Sequence, residues 1–360
     1  YKVTGAAGYA DIPSTPIGTV VVAKATPTIT LSDISGDVRA LGRDPQTFTV
    51  TLDALSSAAG VTTTVSSSND DEATASISSN TVTVRGEKVY STKDVTITVS
   101  IAETANFNAA STTKVVSVNE LSYYLNPLYY VDDENISGEY GGATVFSSTN
   151  GDKYQRSQLS AINNEAANYD KHIPSKEEFL GIMPANFPVD ASEICYYSGS
   201  KTMTVTIGNS SGTHDTSIED LSTWYGSTVD GTSSMANGTV YAVRFIGEDN
   251  CSFWKYEYSE EALIITSVLI DKFDNEDDAQ EWLENNYDKT ISGAHSQTVT
   301  LPNVGWSHPQ GDRPIGWTVL YWSITPSSSP YNVGGWYLDS TCVNAGNNVV
   351  AFAVRLFKDS

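Results

Sequence analysis

Residues 25–119 follow a two-residue alternation of apolar and hydroxyl-bearing side chains. Phe48, Val50 and Leu52 alternate with threonines, and at 95–101 Val and Ile alternate with Thr and Ser. This period gives one buried and one solvated face, which is typical of antiparallel sheets. No helical period competes, so the region is predicted to be β throughout. Further strands are predicted, at sandwich-like spacing, over 28–32, 61–66, 74–78, 81–85 and 113–118.

Beyond residue 120 the pattern predicts a mixture of helices and strands. Helices are predicted at 157–169, after Ser175, and at 276–286. Ser175 and Glu178 have the spacing of a capping box, in which each side chain accepts a hydrogen bond from the other residue's backbone N–H. The side chains predicted to face the core are Leu159, Ile162, Ala166, Phe179, Ile182, Trp282 and Leu283.

The strands predicted in this half are short. They include 240–246, a buried strand at 262–270, Trp317–Thr325, and a final apolar strand at 349–357. The stretch 190–310 otherwise carries long insertions in which we find no motif.

Composition divides the chain near Glu120. All seven tryptophans and all three cysteines follow this position. The 8 basic and 11 acidic residues of 1–119 give a balance of −3, whereas the 12 and 32 of the remainder give −20. We therefore predict two modules, at 24–119 and 120–360.

A weak internal repeat suggests what precedes them. Residues 7–22 and 105–118 both place an aromatic residue before Ser-Thr and end in a Val-rich segment. Repeated segments of this kind indicate tandem domains, so 1–23 is predicted to be the closing strand of a preceding, truncated copy. Because the chain opens at Tyr1 without a leader, we expect it to be part of a longer protein whose signal or lipoprotein leader is missing here.

The charge of the chain excludes two classes of partner. A net charge of −23 and a pI near 4.3 would repel the phosphates of nucleic acids and the headgroups of anionic membranes. No run of about 18 apolar residues is present, so no membrane span is predicted.

Three segments of the first module resemble bacterial Ig-like (Big-type) surface domains. They are Ser-Ile-Ser-Ser-Asn-Thr-Val-Thr-Val (76–84), Asp-Val-Thr-Ile-Thr-Val-Ser (94–100) and Ala-Asn-Phe-Asn-Ala-Ala (105–110). The resemblance covers about 25–119 and implies an all-β Ig-like sandwich that serves as a stalk or spacer. The Cys…Trp…Cys signature of antibody domains is absent, so that type of core is not implied.

The second module resembles a different family over about 120–360, the Fibrobacter succinogenes major paralogous domain of secreted and surface proteins. This resemblance implies an α+β fold similar to C-type lectins. Cysteine does not follow Arg355, so a terminal disulfide of the family type is not implied. The matching segments are 150–154 (Asn-Gly-Asp-Lys-Tyr), 172–179 (His-Ile-Pro-Ser-Lys-Glu-Glu-Phe), 321–323 (Tyr-Trp-Ser), 335–338 (Gly-Trp-Tyr-Leu) and 353–359 (Ala-Val-Arg-Leu-Phe-Lys-Asp).

The lectin-like resemblance also implies a place for a ligand, on the long loop before the last strands, here Pro326–Asn348. Aromatic rings stack on the C–H faces of sugars, and amides donate to and accept from hydroxyls, so this loop suits a glycan or a protein epitope. In the alternative interpretation the loop is only scaffold, with Trp336 or Tyr337 in the core and the asparagines forming turns. The candidate contact residues are Tyr331, Asn332, Trp336, Tyr337, Asn344, Asn347 and Asn348.

Other chemistry has weaker support in the sequence. The acidic clusters 132–135 and 274–278 lack the spacing of a calcium loop and are predicted to be a solvated turn and a helix start. The four histidines show neither metal-ligand nor nucleophile spacing, and His172 is predicted to be structural. We therefore expect no cofactor, no metal and no catalytic residue.

The cysteines leave two arrangements open. Cys195, Cys251 and Cys342 form no CxxC pair, so either two of them form one long-range disulfide or all three are reduced and buried.

These features favour a non-enzymatic, extracellular bacterial surface protein in which an Ig-like stalk presents a lectin-like head that adheres to a glycan or a protein. The alternatives are a structural subunit of a surface assembly, a carbohydrate-active or formylglycine-generating-like enzyme, and a binder that is hypervariable at 331–348. Function inferred from fold alone is an association, and the oligomeric state is not predicted.

Overall fold

The structure is a computed structural model that describes residues 22–89, 91–148, 151–182, 197–198, 204–207, 216–219, 222–227, 238–259, 261–287, 289, 294–304, 306–308, 311–313, 321–326, 335–338, 343–345 and 351–359. The protein is largely β. It divides into two compact units, of which the first is Tyr1–Asp37, Gln46–Val84 and Asp94–Ser117, and the second is Val38–Pro45, Arg85–Lys93 and Val118–Ser360. The predicted boundaries at 23/24 and 119/120 remain predictions.

The strands described in residues 22–119 belong to two four-stranded sheets, with orders β1-β3-β6-β5 and β2-β8-β7-β4. The predicted alternation is confirmed in β3, where Phe48 and Val50 are buried and the threonines between and after them are exposed. It is confirmed again in β7, whose Val and Ile side chains at 95–101 are all buried. The strands are Ile29–Leu31 (β1), Val38–Arg39 (β2), Gln46–Leu52 (β3), Thr63–Ser67 (β4), Ala73–Ser78 (β5), Thr81–Gly86 (β6), Lys93–Ile101 (β7) and Ala110–Asn119 (β8).

The prediction of β structure throughout this region is wrong at Ala54–Ala58, which forms a short helix, α1. Its cap is Asp53, whose carboxylate accepts hydrogen bonds from the backbone N–H groups of Thr28 at 2.7 Å and of Ser56 at 3.0 Å. These hydrogen bonds lower the pKa of Asp53 to about 2, and the bond from Thr28 has the largest effect. A five-residue helix is too short to show a 3.6-residue period, so the cap alone marks it.

The strands described in residues 120–360 belong to several sheets. Besides one six-stranded sheet, these have the orders β10-β25-β20-β21, β11-β26-β9, β13-β14 and β22-β23-β24. The strands are Val131–Asn135 (β9), Tyr154–Gln155 (β10), Lys171–His172 (β11), Tyr197–Ser198 (β12), Thr204–Ile207 (β13), Thr216–Glu219 (β14), Ser222–Ser227 (β15), Gly238–Arg244 (β16), Ser252–Tyr258 (β17), Ala262–Leu269 (β18), Ala294–Pro302 (β19), Trp306–His308 (β20), Gly311–Arg313 (β21), Tyr321–Pro326 (β22), Gly335–Leu338 (β23), Val343–Ala345 (β24), Ala351–Phe352 (β25) and Arg355–Lys358 (β26).

The six-stranded sheet lies within 190–310, and two of its strands, β16 and β18, confirm the strands predicted at 240–246 and 262–270. Its order is β12-β15-β16-β17-β18-β19, and each neighbouring pair is antiparallel. At its core side it buries Trp254, Tyr256, Leu263 and Ile265, together with Phe179 of helix α3 (Lys176–Ile182). The insertions predicted at 190–310 therefore contain a principal element of the second unit.

The predicted helices of this unit are confirmed. Helix α2 spans Leu159–Ala166 between 3-10 turns at 156–158 and 167–169, and its predicted core residues are fully buried. Helix α3 spans Lys176–Ile182. Its capping box is formed, because Ser175 Oγ accepts from the Glu178 N–H at 3.1 Å and Glu178 Oε2 accepts from the Ser175 N–H at 2.8 Å.

Helix α4 spans Glu276–Asn286 and is capped by Asn275, whose side chain accepts from the Asp278 N–H at 2.9 Å. The cluster 274–278 is therefore a helix start, as predicted. Leu283 is fully buried, whereas Trp282 is half-buried against Phe253 and Phe273.

Two predictions about strands and turns are wrong. The final segment is not one strand, since β25 pairs with β10 and β20 whereas β26 pairs with β11 and β9. The chain changes sheets at Ala353, whose carbonyl accepts from the Trp322 N–H at 3.1 Å. Residues 132–135, predicted to be a solvated turn, lie in β9 because they pair with β26. Local composition does not reveal such long-range pairing.

Of the fully buried arginines of the second unit, Arg43 and Arg244 make extensive contacts that stabilise it. Arg43 donates to four carbonyl oxygens, those of Leu41 (2.7 Å), Ile270 (2.7 Å), Asp249 (2.9 Å) and Cys251 (3.0 Å). This set of bonds satisfies a charged group that would otherwise be costly to bury.

The second is Arg244, whose guanidinium lies over two rings, 4.8 Å from the centroid of Phe245 and 5.0 Å from that of Trp254. It also donates to the carbonyl of Gly181 at 3.3 Å, in the last turn of α3, where a cation interacts favourably with the helix dipole.

Within the residues that the structure describes, no helix is both long and apolar enough to cross a membrane.

Candidate functional site

The predicted ligand loop is described only in part. Tyr331, Asn332, Asn347 and Asn348 lie outside the described residues. The backbones of Trp336, Tyr337 and Asn344 are described, in β23 and β24. In the register of this sheet Tyr337 lies opposite Trp322 on one side and Asn344 on the other, and Trp336 lies opposite Ala345. A ligand contact at these seven residues remains a prediction.

A second candidate surface is a group of four tyrosines at the start of the second unit, the tyrosine cluster: Tyr123, Tyr124, Tyr129 and Tyr130. They are carried by two consecutive 3-10 turns, at 123–125 and 127–130. The side chain of Ser122 accepts from the Tyr124 N–H and caps the first turn, and that of Asn126 caps the second.

The cap Asn126 also fixes the cluster to the sheet behind it. Its side chain is fully buried, accepts from the Leu128 N–H at 3.0 Å, and donates to the carbonyls of Ser267 in β18 (3.2 Å) and His295 in β19 (3.0 Å). Pro127 occupies the first position of the second turn, where its missing N–H costs nothing. The turns therefore have a defined position on the six-stranded sheet.

The rings of the cluster pack directly on one another. The centroid of Tyr123 lies 4.2 Å from that of Tyr124 and 4.6 Å from that of Tyr129, and the Tyr123 hydroxyl donates to that of Tyr124 at 2.9 Å. Tyr124 and Tyr129 are 5.1 Å apart, edge to face. Tyr130 is buried in the main core and Tyr123 is 38% exposed. The cluster thus runs from the core to the surface and ends in an exposed ring.

Neighbouring phenols contribute to the pKa shifts of Tyr124 and Tyr130. The pKa of Tyr124 is raised, first by the hydrogen bond with Tyr123 and then by the charge of that phenol and by burial. Burial raises the pKa of Tyr130 to about 12, with additions from the other three tyrosines. The hydroxyl groups of Tyr124 and Tyr130 therefore stay protonated at neutral pH. Lys358 Nζ lies 5.4 Å from the centroid of Tyr129.

The tyrosine cluster was not predicted from the sequence. A usable signal was present, namely four tyrosines within eight residues, each pair preceded by a residue that commonly caps turns. Neither a strand period nor a helix period marks such short turns, and proximity in sequence did not show that one ring would be exposed.

A third group of polar residues surrounds His172, and its structural role remains a prediction. Its Nδ1 lies 2.6 Å from Asp359 Oδ1 and its Nε2 lies 2.7 Å from Glu178 Oε1. Burial by itself lowers the pKa of His172, but the hydrogen bonds and charges of the two carboxylates outweigh it, so the pKa is raised. Contact with carboxylates at both nitrogens favours the imidazolium, in which both nitrogens are donors.

The described cysteine is not activated. Cys251 is a free, fully buried thiol, and burial raises its pKa to about 11, opposed chiefly by the charge of Arg43. Cys195 and Cys342 lie outside the described residues. Because the thiolate is the nucleophile, Cys251 has the environment of a structural cysteine.

The structure also shows how the acidic clusters are used. Asp132 forms a 2.6 Å ion pair with Lys171, and the acids of 276–278 lie in the first turn of α4. Among the residues that the structure describes, no group of three or more His, Cys, Asp or Glu side chains could hold a metal ion.

The model of a family described as a domain of unknown function (DUF8237) matches residues 123–357, more than half of the chain. The chain belongs to this family. The DUF8237 region begins at the first residue of the tyrosine cluster and includes His172 and the predicted ligand loop. A search of curated proteins gives no match.

Proposed function

We propose that this protein is a non-enzymatic binding protein of the bacterial cell surface, in which an Ig-like stalk presents a lectin-like head. The stalk is supported by the two four-stranded sheets of residues 22–119 and by the sequence resemblance of 25–119 to surface spacers. The head is the DUF8237 region. The proposed location is extracellular and the proposed activity is adhesion to a glycan or a protein.

The observation that carries this proposal is the tyrosine cluster. Tyr124 and Tyr129 pack against the main core and Tyr123 extends from them to the surface. Rings held in this way lose little conformational freedom when a ligand binds, which lowers the entropic cost of association. The aromatic body and polar hydroxyl of tyrosine suit contact surfaces.

The non-enzymatic part of the proposal is supported by how the reactive side chains are used. Both nitrogens of His172 are engaged by carboxylates, and the Cys251 thiol is buried with a raised pKa. Catalysis needs such groups to be poised for proton transfer or attack. We propose that in this protein they stabilise the fold instead.

The predicted ligand loop belongs to the same proposal. The backbones of Tyr337 and Asn344 lie opposite each other on adjacent strands. We propose Tyr331, Asn332, Trp336, Tyr337, Asn344, Asn347 and Asn348 as further contact residues.

The test is a binding screen of the whole chain against a glycan array, purified matrix proteins and intact cells. We expect saturable binding to at least one of them and no release of reducing ends from a bound glycan. If nothing is bound, the adhesive function is wrong. Formation of a defined oligomer in light scattering, without any bound ligand, would instead favour the assembly role, and hydrolysis of a bound glycan would favour an enzyme.

A further inference from the structure

We propose that the exposed ring of Tyr123 is the stacking platform for a neutral pyranose sugar. This inference rests on the proposed binding function and specifies its ligand class and its contact residue.

The spacing of the rings determines where a ligand can lie. Centroid distances of 4.2 to 5.1 Å among Tyr123, Tyr124 and Tyr129 are those of rings in direct contact. A cation cage holds its ligand between rings, within about 6 Å of each centroid, and this cluster has no such gap. A ligand can therefore contact only the outer surface, where Tyr123 is exposed.

The charge distribution then limits the ligand class. The chain carries a net charge of −23, which repels anionic ligands. The Lys358 ammonium already lies over the Tyr129 ring, and it repels a second cation there. Both effects favour a neutral ligand over an ionic one.

The hydroxyl groups provide the polar part of the contact. The oxygens of Tyr123 and Tyr124 lie 2.9 Å apart, and a phenol oxygen both donates and accepts hydrogen bonds. A pyranose has an apolar face of C–H groups bordered by hydroxyls, so it can cover the Tyr123 ring while its hydroxyls reach the phenol oxygens. This match of an apolar face with a polar edge identifies the ligand.

The cluster is also prepared for binding before a ligand arrives. The caps of both turns and the buried Asn126 hold the backbone, and Tyr124 and Tyr129 pack against the Tyr123 ring. Because little ordering remains to be done, a single stacked sugar can be bound without a deep pocket.

The experiment is calorimetric titration of the whole chain with the neutral oligosaccharides cellohexaose, xylohexaose and mannohexaose, with polygalacturonate and polylysine as the anionic and cationic probes. We expect at least one neutral oligosaccharide to bind and both charged polymers to fail. Tyr123→Ala should weaken that binding about tenfold or more, and Tyr123→Phe should weaken it less because the ring remains.

The matched control is Tyr169→Ala, since Tyr169 is 61% exposed and lies outside the cluster. It should leave the affinity unchanged.

A second measurement covers the case in which Tyr123→Ala folds poorly. In the unmodified protein, the bound oligosaccharide should protect Tyr123 from nitration, and mass spectrometry measures this protection directly.

The outcomes separate the two proposals. If a neutral sugar still binds to the Tyr123→Ala variant and does not protect Tyr123 from nitration in the unmodified protein, the proposed site is wrong. The binding function then stands. Binding of polylysine or a protein without any neutral sugar overturns the ligand class alone. Failure to bind any of these probes, glycans or proteins overturns both.

Discussion

The imidazole of His172 lies between two carboxylates, and one of them, Asp359, is 187 positions later in the chain, with its Oδ1 2.6 Å from Nδ1. The other, Glu178, simultaneously closes the capping box at the start of α3. One side chain thus connects β11, α3 and the end of the chain after β26.

This arrangement predicts a loss of stability at alkaline pH. Because the pKa of His172 is raised on folding, its stabilising contribution is fully present below the ordinary pKa of about 6.5 and is lost as the pH rises through the folded-state pKa. All seven tryptophans follow Glu120, so tryptophan fluorescence in urea reports unfolding of the second unit.

The free energy of unfolding of the wild type should therefore fall towards that of His172→Gln between pH 6 and pH 9. At pH 6 the variant should be less stable by about 1.5–3 kcal/mol, the usual value of hydrogen bonds to charged groups. A difference between the two proteins that stays constant with pH would contradict the prediction.

Replacement of Arg43 by methionine should be strongly destabilising. The change removes the guanidinium donor from four carbonyl oxygens. Those of Leu41 and Cys251 keep a backbone N–H partner, and each buried group left without a partner costs about 1–3 kcal/mol. We expect a loss of at least about 3 kcal/mol in urea unfolding.

The control for that variant is Arg39→Met. Arg39 pairs with Asp44 and Asp249, but its side chain is 29% exposed, and ion pairs accessible to solvent contribute less than about 1 kcal/mol. Equal effects of the two changes would contradict the role given to the Arg43 hydrogen bonds.

Arg244 should be sensitive even to replacement by lysine. Lysine keeps the charge but lacks the planar group that lies over Phe245 and Trp254 and donates to the Gly181 carbonyl. We expect Arg244→Lys to cost about 2 kcal/mol in urea unfolding.

For comparison, Lys255→Met removes a cation from the neighbouring strand, where Lys255 and Glu257 form a pair that is more than a third exposed at both ends. This change should cost less than about 0.5 kcal/mol. An Arg244→Lys variant as stable as Lys255→Met would show that the planar contacts do not matter.

Cys251 should be unreactive in the folded protein. With a pKa of about 11, only ~1 in 1,000 molecules carries the thiolate at pH 8, and burial blocks access to it. In a variant with Cys195→Ser and Cys342→Ser, a disulfide exchange reagent should label no thiol in buffer and one thiol in 6 M urea. Rapid labelling in buffer would show that Cys251 is accessible.

Much of the local structure could be predicted from the sequence, because local patterns depend on a few neighbouring residues. The alternation in β3 and β7, the buried face of α2, the Ser175–Glu178 capping box and the bounds of α4 all follow from periods or caps within about a dozen residues. Helix α1 was missed because its single turn depends on one cap.

The tertiary structure decided which distant segments meet. It divided the end of the chain between two sheets at Ala353, placed Asp132–Asn135 in a strand, and joined the two strands predicted at 240–246 and 262–270 to four others in one six-stranded sheet. It also brought Asp359 to His172 and left the ring of Tyr123 at the surface. Strand pairing and burial depend on the packing of residues far apart in sequence, and no local period carries that information.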